Sequence, residues 1–126
     1  MGVIGIEEIF LDVNDLAKAI DFYHEKLGIP IAKQDAERAY LQCDRGHLVL
    51  QVKGHKGRHR GGGPLHFALT VSEEAFDGVV SRVCGKEHFT RGPSGKVGEG
   101  RVLFMIDPDG NEAEVNTRYL YGIPKR

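Results

Sequence analysis

One order of elements is readable twice along this chain, and that repetition limits the fold more than any other feature. "IEEIFLDV" (6–13) alternates, with Ile9, Leu11 and Val13 on one side and Glu8, Phe10 and Asp12 on the other, as a half-buried strand does. Asn14 or Asp15 can cap a helix running to Leu27, with Leu16, Ile20, Tyr23 and Leu27 as its apolar stripe and Ala19 and Phe22 beside it. Gly28 is placed to end that helix in a left-handed conformation, and Pro30 prevents its continuation. Strands are expected at Ile31–Gln34, Arg38–Cys43 and His47–Val52, the last two joined by a turn at Asp44-Arg45-Gly46.

The pattern then restarts. "LHFALTV" (65–71) sets Phe67, Leu69 and Val71 against His66, Ala68 and Thr70. Ser72 can cap a second helix, with Glu73 and Glu74 in the first turn, where the helix dipole favours anions. Phe76, Val79, Val80 and Val83 form its buried stripe and Gly85 closes it, after which "RVLFMI" (101–106), a turn at Asp107–Gly110 and "EAEV" (112–115) make a final hairpin. His66 occupies in this repeat the place of Glu8 in the first.

The expected architecture is α+β: two βαβββ modules forming a curved, barrel-like mixed sheet with the helices outside. Module one covers 5–53, a linker 54–64, module two 65–117 and a tail 118–126, within one domain of 126 residues. Two repeats are too few for a solenoid, so the modules should share one sheet or pair with a second subunit. "KGHKGRHRGGGP" (53–64) is basic, glycine-rich and aperiodic, the composition of a flexible linker, and His55 and His59 on it read as solvated. "RGPSGKVGEGR" (91–101), inside an unreadable stretch from 86 to 100, reads as a solvated basic loop, although Arg91, Lys96 and Arg101 could receive an anionic group.

Composition excludes several functions. A net charge of −1 gives no field that favours nucleic acid or a membrane surface. No run of about 18 apolar residues exists to span a bilayer. The start, "MGVIGIEEIF", lacks a signal-peptide pattern, and Ile6 stands where a myristoylation signal has Ser or Thr. Cys43 and Cys84 have no metal-site spacing and read as small buried hydrophobes. A cytoplasmic enzyme or binding protein is expected.

Each alternating strand has one apolar side, assigned to the helices, so the chemistry lies on the other side. There stand Glu8 on the first strand, His47, Val49 and Gln51 on the fourth, His66 on the fifth, and Glu112, Glu114 and Asn116 on the last. If the sheet curls, Glu8, His66 and Glu114 converge with Gln51 near them. Two carboxylates and an imidazole in a cleft require a positive partner. A divalent cation supplies it, and oxygen and imidazole donors suit Mn, Fe, Ni or Zn. A sheet with one face in solvent would show the same alternation, with these residues as ordinary surface groups.

"FLDVNDLAKAIDFYHEKLGIPI", then "LHFALTV", then "MIDPDGNEAEV" resembles the vicinal oxygen chelate superfamily over roughly residues 6–117. That group holds glyoxalase I, thiol transferases acting on fosfomycin, methylmalonyl-CoA epimerase, extradiol dioxygenases and bleomycin-resistance proteins. The resemblance implies metal ligands from the first and last strands of the modules. His66 matches the second-module histidine and Glu114 the C-terminal glutamate, whereas Glu8 stands where the family usually has His or Gln. Glyoxalase I would need a further glutamate at Val49 or Gln51, and neither is a carboxylate.

The implied function is a metal-dependent enzyme that chelates vicinal oxygens of a small substrate at a cation held by Glu8, His66 and Glu114. Either glutamate could be the general base, with Gln51 or Val49 as a further ligand or substrate-contact position. The alternative is a metal-free, ligand-sequestering protein of the bleomycin-resistance type. A homodimer is implied by analogy, and Tyr119 and Tyr121 of the tail could cover the opening.

Overall fold

The alternation of "IEEIFLDV" becomes β1 (Glu8–Val13), with Leu11 and Val13 buried. A computed structural model describes residues 2–3, 5–52 and 65–117. The linker with His55 and His59, and the tail with Tyr119 and Tyr121, lie outside the described residues. The chain divides into two compact units, Met1–Gly63 and Pro64–Arg126. None of its described helices is long and apolar enough to cross a membrane.

In the first unit Asp15 caps α1 (Leu16–Ile20), its carboxylate accepting the Lys18 N–H at 3.1 Å. The sequence pattern implies one regular helix to Leu27. Instead the chain widens into a π-helical stretch, Asp21–Lys26, where the Leu27 N–H reaches the Phe22 carbonyl at 3.0 Å. Phe22 and Tyr23 of that stretch are both buried, with their rings edge to face at 4.8 Å, and their burial offsets the poorer geometry of the wider turn. Gly28 ends the helix at φ +82, as its position implies.

Strands β2 (Ile31–Gln34), β3 (Arg38–Cys43) and β4 (Gly46–Val52) follow, and the sheet order is β1-β4-β3-β2. β1 and β4 run parallel; the other pairs are antiparallel. Gly46 is required at the start of β4, because a Cβ there would lie 2.8 Å from the Glu7 carbonyl oxygen. Leu48 and Leu50 are buried on the apolar side, while Val49 and Gln51 of the other side are buried as well.

The second unit repeats this plan. β5 (His66–Thr70) leads to α2 (Glu73–Val83), capped by Ser72, whose hydroxyl accepts the Ala75 N–H at 3.1 Å. Phe76, Val79 and Val83 are buried. β6 (Phe89–Lys96), β7 (Gly100–Ile106) and β8 (Glu112–Asn116) complete a sheet of order β5-β8-β7-β6, with β5 and β8 parallel. β6 corrects the loop expected over 91–101. Its side chains are mostly exposed and carry no period, and its pairing with β7 is interrupted by register shifts. Backbone pairing alone makes it a strand. Gly95, at φ +89, sits where a Cβ would be 2.0 Å from the Gly100 carbonyl oxygen.

Arg101 is part of this scaffold rather than a free cation. Its Nε–H reaches Glu73 at 2.9 Å, Nη1–H reaches Asp77 at 2.8 Å, and the guanidinium lies 4.4 Å over the Phe76 ring. The Gly98 N–H also donates to Glu73, and with Arg101 it holds that carboxyl below the ordinary carboxylate range. A lowered folded value stabilises the fold at neutral pH, and that contribution is lost as pH falls through it. Glu73→Gln is therefore expected to lower the thermal midpoint at neutral pH and to converge on the unaltered protein in acid. A gap that stays constant into acid would show that the charge of Glu73 is not its source.

Candidate functional site

In the second sheet, register places three rows on the polar side. His66, Glu112 and Ile106 share one row, Ala68, Glu114 and Phe104 the next, and Thr70, Asn116 and Val102 the third. His66 is hydrogen-bonded through Nδ1 to the Glu112 carboxylate, and its Nε2 stands 3.4 Å from Oε1 of Glu114. Glu114 is 5% exposed, and its other oxygen accepts the Asn116 amide N–H at 3.1 Å. The His66 side chain remains 52% exposed. Arg91 lies 3.9 Å over the Phe104 ring, beside the same row, whereas Lys96 is exposed in β6.

What aligns His66 with the glutamates is the turn before β8. Asp107 accepts the N–H groups of Asp109 and Asn111 and the side-chain amide of Asn111, each at 2.8 Å. Asn111 in turn accepts the Leu65 N–H at 2.9 Å, and the Glu112 N–H donates to the Leu65 carbonyl at 2.8 Å. One buried asparagine thus ties the start of β8 to the residue preceding His66. Sequence reasoning saw a tight turn here and missed the clamp. The available signal was Asp followed four residues later by Asn, both amide-binding types, in "DPDGN".

In the first sheet the corresponding rows are Glu8, His47 and Gln42; Phe10, Val49 and Tyr40; and Asp12, Gln51 and Arg38. Glu8 is exposed at the first position of β1. Acid and imidazole are exchanged between the modules: Glu8 faces His47, and His66 faces Glu112. Val49 is buried and has no donor atom. The Gln51 carbonyl accepts the Arg38 Nε–H at 2.8 Å, and Arg38 also donates to the Tyr40 hydroxyl at 3.0 Å. Among the described residues the buried Gln51 amide nitrogen has no partner. Cys43 and Cys84 are free thiols, half-buried rather than fully buried.

The second module brings one imidazole and one buried carboxylate together. Glu114 is a carboxylate withdrawn from water whose described partners are an amide and an imidazole, so it is short of positive charge. An imidazole nitrogen and a carboxylate oxygen facing each other form a donor pair suited to a divalent first-row cation. Among the described residues, no three His, Cys, Asp or Glu side chains gather as a metal-holding group. His66 and Glu114 bring two donor atoms face to face.

A family model described as the Glyoxalase/Bleomycin resistance protein/Dioxygenase superfamily matches residues 5–115. The chain is 29% identical over 122 residues to "Glutathione transferase FosA" of Serratia marcescens, covering 92% of this chain and 82% of the relative. It is 27% identical over 122 residues to "Metallothiol transferase FosB" of Lysinibacillus sphaericus, covering 95% and 86%. The crystal structure of lactoylglutathione lyase from Agrobacterium tumefaciens shares the fold, with a TM-score of 0.69 at 22% identity over 98% of this chain and 100% of that one.

If Asn111 sets the register of β5 on β8, Asn111→Ala should cost about 1–3 kcal/mol, because it removes the acceptor of the Leu65 N–H and one amide donor to Asp107. Denaturant unfolding measures this. An unchanged midpoint would show that the backbone pairing holds the register without the clamp.

Proposed function

The chain belongs to the Glyoxalase/Bleomycin resistance protein/Dioxygenase superfamily, and on that premise we propose that it is a metal-dependent enzyme acting on a small substrate with two neighbouring oxygens. The observation that carries this reading is His66 Nε2 facing Glu114 Oε1 across adjacent strands at 3.4 Å. Glu8 is the third proposed ligand, because it opens β1 as His66 opens β5. A divalent cation of the Mn, Fe, Ni or Zn kind, bound there, supplies Lewis acidity toward the substrate oxygens.

The two glutamates suit different tasks. Glu114 is buried and held by Asn116, which favours constant ligation. Glu8 is exposed, so of the two it is the glutamate free to leave the metal and take up a proton. Arg91, stacked on Phe104 beside Glu114, is the cation placed to receive an anionic substrate group. Arg101 is committed to Glu73 and Asp77. Gln51 lies wholly within module one, bonded to Arg38, and its free amide N–H is the group it has left for a substrate oxygen. Relatives named as glutathione and metallothiol transferases make thiol addition the first reaction to assay. Catechols and acyl-CoA thioesters follow. A homodimer belongs to this reading, and a mass measurement in solution tests it.

Metal analysis of untagged protein decides between this enzyme and a metal-free, ligand-holding relative. Near-stoichiometric metal is expected, abolished in His66→Ala and Glu114→Ala and weakened at least about 10-fold in Glu8→Ala, with each variant still folded. Metal-free protein that folds normally and takes up none of the four ions would overturn the enzyme and leave the sequestering protein.

A further inference from the structure

We propose that Glu112 is the positioning residue of the site: it holds the His66 ring and selects the tautomer in which Nε2 is the free donor. The proposal rests on the metal-centre reading above and extends it to a residue outside the ligand set. Half of the His66 side chain is in water, so packing alone leaves the ring free to turn. The described polar contacts that orient it are those to Glu112 and Glu114.

The two contacts differ in kind. Glu112 sits directly across the parallel ladder from His66, and its own N–H is fastened to the Leu65 carbonyl at 2.8 Å. Its backbone is therefore fixed relative to the residue just before His66. A carboxylate only accepts, so its bond to Nδ1 requires the proton on Nδ1. In the neutral ring that is the single proton, and the lone pair is on Nε2, the nitrogen turned toward Glu114 at 3.4 Å. An imidazole in water favours the other tautomer, with the proton on Nε2 and no lone pair there to give. Carboxylate–histidine pairs of this kind orient metal-binding imidazoles and raise their basicity.

Register and burial also separate the two glutamates of β8. Both face the polar side, but Glu114 is 5% exposed and pairs with Ala68 in register, whereas Glu112 pairs with His66 itself. One is placed to share a ligand with His66, the other to hold His66 from behind. The first module lacks this arrangement, since the order of acid and imidazole is reversed in Glu8 and His47.

The test compares Glu112→Ala with Glu112→Gln, which keeps a carbonyl acceptor and the same shape. Metal-free proteins are titrated with Mn²⁺ and Ni²⁺ by calorimetry. Nitrogen-15 spectra of the His66 side chain are recorded above the imidazole titration range, with folding checked by circular dichroism. We expect Glu112→Ala to weaken metal binding by about 10–100-fold and Glu112→Gln to recover most of that loss. His66 in the metal-free parent should carry its proton on Nδ1, and in Glu112→Ala it should shift toward Nε2. If the parent binds metal and Glu112→Ala binds equally well, or if the tautomer does not change, the proposal fails. If the parent binds no metal, the metal-centre reading fails instead, and the spectra still decide whether Glu112 controls His66.

Discussion

The parallel pairing of β5 with β8 is the constraint on which the site depends. Side chains alternate along a strand, so sliding β8 by one residue would turn Glu112 and Glu114 to the helix side and bring Ala113 and Val115 to the polar side. Parallel strands cannot be joined by a tight turn, so hairpin chemistry does not set their register. Here the register is pinned at one end by Leu65, whose N–H and carbonyl are taken by Asn111 and Glu112. The Asp107 carboxylate keeps Asn111 in place, and a local turn thereby fixes a pairing between residues distant in sequence.

The same sheet plan in the first module carries different chemistry. Gln51 and Val49 occupy the polar side of β4 as Asn116 and Glu114 occupy that of β8. The buried Gln51 carbonyl is taken by the Arg38 guanidinium, so that module satisfies one end of its polar side chain internally. Glu114 has an amide and a half-exposed imidazole instead, and that difference is what the proposed metal centre rests on. The Arg101 network on the opposite side keeps α2 against β7 and withdraws one cation from the loop that otherwise looked available for substrate.

Much of this was written in local patterns. Periods of two and of nearly four, with the caps Asp15 and Ser72 and the stops Gly28 and Gly85, located β1, both helices and the strands up to β5. The parity of "EAEV" put Glu114 on the side opposite Ala113 and Val115, where it lies. β6 escaped because glycine, proline and exposed polar side chains carry no period, and its partner β7 supplies the hydrogen bonds that define it. The π-helical stretch escaped because regular helical spacing already put Phe22 and Tyr23 near the buried side.

What this amino-acid sequence determined by itself was which side chains share a face: alternation in a strand is a property of the backbone and needs no partner. What tertiary structure alone decided was which faces meet in register, so that His66 lies between Glu112 and Glu114, Arg101 is spent on Glu73, and Gln51 is closed over by Arg38. Those outcomes depend on pairings between segments far apart along the chain. Such pairings are set by the mutual satisfaction of backbone and buried polar groups, a condition that no single stretch of residues can express.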